Sequence, residues 1–542
     1  MNGFPWLTVA GAIPLLGSLV VAFVPSLPPD SAAADVEARN RLAKILALVF
    51  SVATLVWVIV MATRFNTNGP TFQLTEQYSW IPQFGVHYAL GVDGIALVLV
   101  GMTAVLMPVV VLASWHDVEG AAAQGATVRR SVKSYFALML LLETMMIGVF
   151  EATDVFLFYV FFEAMLVPMY FMIGSFGVGP RQYAAVKFLL YSLFGGLLML
   201  VAVIALYVYS AQSAATGHHG TFLFTALLHV SLSPTVQKWL FLGFFIAFAI
   251  KAPLWPFHTW LPDATASAQP GGAVLMLGVM DKVGTFGMIR YCLELFPAGV
   301  SYFKVLILVL AVISILYGAI VAIGQKSMKR LIGYTSISHF GFIVLGIFAL
   351  TSQGGVGAVL YMVNHGFATG ALLIIAGFLI ARRGSDRIED YGGVQKVAPV
   401  LAGLFFISGL ASLALPGLST FVSEFLVLVG TFSRYKVAGS FAVVGIILAA
   451  TYVLWMVQRT MHGPVSPAVA AFKDLRPREL LAIVPLIALI LAMGVYPKPV
   501  IDVIDPAVNA TLSQIHVSDP TPAHPAPNPN LTTSSVQKGI QP

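Results

Sequence analysis

Ionisable side chains interrupt several long apolar stretches of this chain. Glu163 lies in LFYVFFEAMLVPMY, Lys251 in FFIAFAIKAPLWP and Lys282 in LMLGVMDKVGTFG. His365 lies in LYMVNHGFATGALL and Glu424 in LPGLSTFVSEFLVLVG. A charge near the centre of a bilayer costs about 2.5–3.5 kcal/mol on insertion scales, so such groups belong inside a protein bundle or beside water. These residues therefore predict a path for protons or other ions.

Glu163 and Lys251 carry opposite charges on nearby apolar segments, and we expect them to pair. Burial disfavours the charged form of each group, and pairing opposes that effect. Opening of the pair would let each group change its protonation near neutral pH, as a proton relay requires. A static ion pair that fixes helix register is the alternative. Lys282 favours the relay, because a second buried lysine offers the proton a next position.

The second half of the chain adds two histidines, His339 and His365, on consecutive segments. Histidine titrates near physiological pH and therefore suits a relay, whereas a hydrogen bond between helices is the alternative for each. Glu424 follows as an exit or hand-over group, and Glu143 is a further buried carboxylate with an uptake or linking role. Asp281 precedes Lys282, and adjacent helical residues point about 100° apart, so Asp281 is free to face another helix.

The composition is that of an integral membrane protein. Of 542 residues, 58% are hydrophobic and 10% charged, and the mean hydropathy is +0.89, whereas soluble domains carry about 25% charged residues. The net charge of +6 is scattered, without the basic stripe of a nucleic-acid surface. The single cysteine, Cys292, excludes an internal disulfide and a four-cysteine iron–sulfur or zinc site. We expect no cofactor in this chain.

About fourteen apolar segments are long enough to cross a bilayer as helices. The expected fold is therefore an all-α polytopic membrane protein. The segments cover roughly 4–24, 42–62, 89–113, 134–150, 154–175, 183–210, 239–258, 272–293, 303–323, 331–350, 356–381, 400–430, 439–461 and 480–496.

Lysine and arginine are distributed unevenly between the connecting loops. The loops after odd-numbered segments hold sixteen of them, including Arg129 and Arg130, whereas the opposite loops hold six. Because positively charged loops stay in the cytoplasm, this predicts a plasma-membrane protein with both termini outside the cytoplasm.

Segments 7 and 12 are interrupted by proline, in FAIKAPLWPFHTWLP and SGLASLALPGLSTFVSEF. Proline removes a backbone donor, and open backbone at membrane depth survives only inside protein or beside water. Interrupted segments at corresponding positions indicate inverted repeats, although proline is also common in membrane helices. We predict two inverted five-helix repeats, helices 4–8 and 9–13. The expected divisions are 1–133 (three helices), 134–293 (first repeat), 303–461 (second repeat), 462–496 (last helix) and 497–542 (extended tail).

Long motifs of this chain resemble the antiporter-like membrane subunits of respiratory complex I, the bacterial proton-pumping NADH:quinone oxidoreductase. The resemblance covers roughly residues 85–460. It rests on FYVFFEAMLVPMYFMIG, KAPLWPFHTWLPDA, KRLIGYTSISHFGFIVLGIFA, NHGFATGALLIIAGFL, IEDYGGVQKVAP and LASLALPGLSTFVSEFLVL.

The resemblance implies a role for each matched residue. Glu163 is similar to the helix-five glutamate that pairs with the helix-seven lysine, here Lys251, and Lys282 to the connecting lysine of helix eight. His339 and His365 match the histidines of the central axis.

Two further positions separate this chain from relatives of the family. Sister subunits of the L and N types typically have lysine where this chain has Glu424, which favours the M, or chain 4, type. An apolar residue usually precedes the helix-eight lysine, where this chain has Asp281.

The resemblance further implies a subunit that moves protons from the cytoplasm to the outside in the membrane arm. Its partners would be the L-type and N-type antiporter-like subunits and the lipid bilayer. FMN, iron–sulfur clusters and quinone would belong to partner subunits. The alternatives are a subunit of a multisubunit Na+/H+ antiporter and a structural membrane subunit of a hydrogenase-like complex.

Overall fold

The computed structural model describes residues 3–25, 32–123 and 131–521. We number its helices α1–α14 to match the fourteen predicted segments. Their bounds are α1 Trp6–Ala22, α2 Ala33–Ala62, α3 Gly94–Ala113, α4 Val132–Glu151, α5a Val155–Ala164, α5b Leu166–Phe176, α6 Arg181–Gln212, α7a Pro234–Lys251, α7b Trp260–Ser267, α8 Pro270–Leu293, α9 Pro297–Ile323, α10 Met328–Phe348, α11 Ser352–Arg383, α12a Pro399–Ser412, α12b Ser419–Arg434, α13 Lys436–Met461 and α14 Pro477–Val495.

The all-α membrane fold expected from the sequence is confirmed. Within the described ranges, eleven helices are long and apolar enough to cross a membrane. Of the other three predicted crossings, α1 is one shorter helix of 17 residues, and α7 and α12 are each divided into two helices. Such pieces still reach membrane depth if the bundle surrounds their open backbone.

Helices α7 and α12 are both broken, and each break is closed in a similar way. The indole Nε1 of Trp260 donates to the carbonyl of Ile250 at 2.9 Å. The hydroxyl of Thr420 donates to the carbonyl of Ala411. In each case a side chain just after the break donates to a carbonyl in the last turn before it. The inverted relation of the two five-helix groups stays a prediction.

A β-hairpin lies in the polar connection between α2 and α3, where no strand was predicted. Strand β1, Gln73–Ile81, pairs antiparallel with β2, Val86–Val92. The carboxylate of Glu76 in β1 accepts from the backbone amide of Leu7 at 2.7 Å, so the hairpin anchors the start of α1.

The predicted extended tail from residue 497 onward is wrong for its first part. Residues Lys498–Gln514 form a helix, α15, that packs against α3 and α11. Its buried residues recur with helical spacing, which places an apolar stripe against the bundle: Ile504, Ala507, Val508, Thr511 and Leu512. The remainder of the predicted tail, 522–542, lies outside the described residues, as do Arg129 and Arg130.

Candidate proton-transfer site

Three helices form the buried centre of the bundle. In their most apolar windows, all residues of α8 and 94% of those in α10 and α11 are buried. Lys282 lies on α8, His339 on α10 and His365 on α11. These three residues, together with Glu424, are called the second half of the relay, and Glu163 and Lys251 its first half. The three therefore lie in the interior and do not face lipid.

The backbone of α8 is adapted to hold a lysine. Residues Met276–Met280 form a π-helical turn, in which the amide of Asp281 bonds the carbonyl of Met276, five residues earlier. The amide of Asp281 therefore does not bond the carbonyl of Leu277, four residues earlier, and this carbonyl accepts a hydrogen bond from Lys282 Nζ. Such turns often mark functional sites, because they free a backbone group for other use.

Lys282 and His365 are in direct contact. Lys282 Nζ lies 2.7 Å from Nδ1 of His365, and the ring of Phe340 lies 5.2 Å from the same ammonium. Glycine permits the close approach of α8 and α11, since a Cβ on Gly366 would lie 3.0 Å from the carbonyl oxygen of Gly278.

The contacts continue from His365 towards Glu424. The imidazole rings of His365 and His339 lie 5.2 Å apart, centre to centre. His339 Nδ1 lies 2.8 Å from the hydroxyl of Tyr361, and that hydroxyl lies 2.9 Å from Oε2 of Glu424. The structure therefore brings these four predicted relay residues into one buried line: Lys282, His365, His339 and Glu424.

Tyr361 completes this line, and the sequence reasoning missed it. A tyrosine hydroxyl donates one hydrogen bond and accepts others, so Tyr361 can pass a proton between an imidazole and a carboxylate. Its position relative to His365, four residues later on the same helix, is the signal that could have identified it. Residues four apart share a helical face.

The first half of the relay is arranged differently, because the expected pair of Glu163 and Lys251 is not a direct hydrogen-bonded ion pair. Oε1 of Glu163 and Nζ of Lys251 are buried, and neither atom has a hydrogen-bond partner among the described residues. They remain close enough to interact electrostatically. The rings of Phe162 and Phe188 lie 5.0 Å and 5.9 Å from the ammonium, so aromatic faces replace the expected carboxylate.

Packing explains the position of the Glu163 carboxylate. A Cβ on Gly196 of α6 would lie 1.6 Å from Glu163 Oε1. The carboxylate therefore occupies the space above this glycine, against α6, and does not reach across to α7.

Glu143 on α4 is isolated. Its side chain is fully buried, and neither carboxylate oxygen has a hydrogen-bond partner within the part of the chain that the structure describes. The structure does not join Glu143 by contact to the other predicted relay residues.

A crevice of about 650 Å³, lined in part by charged side chains, opens at the end of the bundle that carries the loops after odd-numbered helices. The first residues of α8 line it, together with Asp117 and Lys329. Asp117 accepts from the amide of Gly271 at 3.2 Å, and Lys329 Nζ donates to the carbonyl of Ala268 at 3.0 Å. The crevice thus links one face of the bundle with the start of the helix that carries Lys282.

No group of three or more metal-ligating residues was found in the described ranges. The arrangement supports proton transfer between side chains, because each group in the line can bind or release a proton.

The fold is that of an antiporter-like membrane subunit. Residues 152–449 match the family model described as NADH:quinone oxidoreductase/Mrp antiporter, TM. A curated relative from Mycobacterium tuberculosis, NADH-quinone oxidoreductase subunit M, is 52% identical over the full length of both chains. The chain therefore belongs to the NADH-quinone oxidoreductase subunit M family.

Solved structures show the same architecture. A chain of respiratory complex I from Thermus thermophilus with bound NADH is 30% identical, with a TM-score of 0.81 over 94% of this chain and 99% of that chain. A chain of the Mrp complex from Dietzia shares the fold at 20% identity, with a TM-score of 0.78 over 94% of this chain and 98% of that one.

Proposed function

We propose that this chain translocates protons as a membrane-arm subunit of an NADH:quinone oxidoreductase. The names of its relatives support the assembly, since they belong to subunit M of that enzyme. The observation that carries the proposal is the buried line from Lys282 through His365, His339 and Tyr361 to Glu424.

Tyr361 gives this line a specific proton step. If His339 is an imidazolium, its Nδ1 proton moves to Tyr361 while the Tyr361 hydroxyl proton moves to Glu424. The products are neutral His339, an unchanged Tyr361 and protonated Glu424. Both transfers follow contacts of 2.8–2.9 Å, within the reach required for proton transfer.

The direction of transport follows from the distribution of charge. Lysine and arginine mark the loops after odd-numbered helices as cytoplasmic, and the crevice opens at that end. In this proposal protons enter near Asp117 and Lys329, pass Glu163, Lys251 and Lys282, and leave beyond Glu424. Both termini are then outside.

The driving reaction belongs to other subunits. FMN, iron–sulfur clusters and quinone would lie in those partners, whereas this chain contacts the bilayer and the L-type and N-type antiporter-like subunits. Moving one charge against 100 mV costs about 2.3 kcal/mol, so coupling must change the relay energies by a comparable amount for each proton.

Replacing Lys282 with alanine in the intact complex tests the proposal. The variant removes the ammonium that contacts His365, so NADH-driven proton pumping in vesicles is expected to fall on the order of a hundredfold. NADH oxidation by an artificial electron acceptor should be unchanged, which reports on assembly. Lys436→Ala, at an exposed lysine, is the control.

Normal pumping by Lys282→Ala would refute the proposed function. Pumping that requires sodium would instead support a sodium/proton antiporter subunit. If Lys251→Ala and Lys282→Ala both prevent assembly of the complex, and neither lowers pumping in an assembled complex, the result would support a structural role for the two lysines.

A further inference from the structure

Asp281 has no role in the line described so far, although it is fully buried beside Lys282. Its exposure is 0%, and neither carboxylate oxygen has a hydrogen-bond partner among the residues that the structure describes. A buried carboxylate without partners is costly, so a protein that retains one at its centre uses it or neutralises it.

The packing of α8 shows where Asp281 points. Gly284 lies three residues later, on the same face of the helix. A Cβ on Gly284 would lie 2.7 Å from the amide nitrogen of Ala252 and 2.6 Å from the carbonyl oxygen of Phe248. This face of α8 therefore lies against the end of α7a, where Lys251 is the last residue.

Lys282 points to a different helix. Its ammonium contacts His365 on α11, and Gly278, one turn earlier, also approaches α11 at Gly366. Adjacent residues of a helix point about 100° apart. Asp281 and Lys282 thus connect α8 with α7 and with α11, respectively.

The charges agree with this placement. The Asp281 carboxylate interacts electrostatically with both Lys282 and Lys251. Lys251 in turn interacts with Glu163 and Asp281. Lys251 therefore interacts with two carboxylates. Glu163 belongs to the first half of the relay, and Asp281 is adjacent to Lys282.

We propose that Asp281 carries the proton from Lys251 to Lys282 and so joins the two halves of the relay. This inference rests on the proposed function of the chain. The Lys251 ammonium gives a proton to the Asp281 carboxylate, which leaves a neutral amine and a carboxylic acid. Asp281 then gives that proton to a neutral Lys282 and returns to the carboxylate, so charge and protons balance.

A static role is the competing interpretation, in which a permanent Asp281 carboxylate only balances the charge of the lysines. No described residue donates a hydrogen bond to the Asp281 carboxylate, which argues against a static role, because a permanent buried carboxylate is normally held by donors. A carrier, in contrast, must exchange partners between its two neighbours.

The variants Asp281→Asn and Asp281→Glu separate these roles in the intact complex. Asp281→Asn is expected to lower NADH-driven pumping in vesicles on the order of tenfold or more, with unchanged NADH oxidation by an artificial acceptor. Asp281→Glu, which keeps an ionisable carboxyl, is expected to retain most of the pumping. Glu151→Gln, which removes a buried carboxyl of α4 away from these lysines, is the matched control.

Infrared difference spectra recorded during turnover report changes in carboxyl protonation, which a permanently charged Asp281 would not show. A carbonyl band of a carboxylic acid should appear in the wild type, shift in Asp281→Glu and vanish in Asp281→Asn. If Asp281→Asn does not assemble, the band in the wild type and its shift in Asp281→Glu still decide the question, and their absence overturns the inference.

The outcomes distinguish this inference from the proposed function. Normal pumping by Asp281→Asn, together with lost pumping by Lys282→Ala, overturns the role of Asp281 and leaves the proposed function intact. Normal pumping by both variants refutes both.

Discussion

The two halves of the candidate relay differ in how their groups are connected. In the second half, Tyr361 contacts both His339 and Glu424 at hydrogen-bond distance. In the first half, Glu163 and Lys251 interact electrostatically, and neither Oε1 of Glu163 nor Nζ of Lys251 has a hydrogen-bond partner in the described part of the chain. Hydrogen bonds through Tyr361 thus join His339 to Glu424, whereas no hydrogen bond among the described residues joins Glu163 to Lys251.

This difference indicates where transport can be controlled. Transfer along preformed hydrogen bonds needs only small movements, whereas transfer between separated groups needs a side-chain rotation or an intervening water. We therefore expect the region from Glu163 to Lys251 to respond to conformational change, and the region around Tyr361 to conduct in a fixed geometry.

Shortening one carboxylate in each half tests whether pumping depends on direct contacts in the second half only. Glu424→Asp shortens the side chain by one methylene, about 1.5 Å, and so separates the carboxylate from Tyr361. Loss of a hydrogen bond to a charged group costs about 1.5–3 kcal/mol. NADH-driven pumping by the intact complex should fall on the order of tenfold or more.

The same change in the first half should have a smaller effect. Glu163 forms no fixed polar contact with Lys251, so Glu163→Asp is expected to lower pumping only about twofold to threefold, roughly 0.5 kcal/mol. Equal losses in Glu163→Asp and Glu424→Asp vesicles would contradict the distinction between the two halves.

Gly196→Ala is expected to change pumping less than either shortened carboxylate. The new Cβ would lie 1.6 Å from Glu163 Oε1, so the carboxylate must rotate away from α6. We expect a change in pumping of about twofold, because Glu163 has no direct hydrogen bond to Lys251 that this rotation would break. Gly403→Ala on α12a, where nothing lies within 4 Å of the new Cβ, is the control.

Much of the fold was predictable because the hydrophobic pattern dictates it. Runs of apolar residues fix the helices, and proline marks the breaks in α7 and α12. Buried charges on separate segments had to converge, since none of them can face lipid. The contact of Lys282 with His365 agrees with that reasoning.

Other features depend on tertiary contacts that no local pattern encodes. The hairpin of β1 and β2 and helix α15 are stabilised by packing against the bundle, and the predicted tail was judged by its composition alone. The position of Glu163 depends on the absent side chain of Gly196. The role of Tyr361 required the relative rotation of α10, α11 and α12b, which a single sequence does not give.

Two tyrosines near Glu424 allow a direct test of whether the contacts of the second half carry protons. Tyr361 contacts Glu424 and His339, whereas the buried hydroxyl of Tyr452, which interacts with Glu424 only electrostatically, has no hydrogen-bond partner among the described residues. The measurement is the number of protons pumped per NADH in vesicles that contain the intact complex. We expect a clear decrease in this ratio in Tyr361→Phe and the wild-type ratio in Tyr452→Phe. An unchanged ratio in Tyr361→Phe would contradict this expectation.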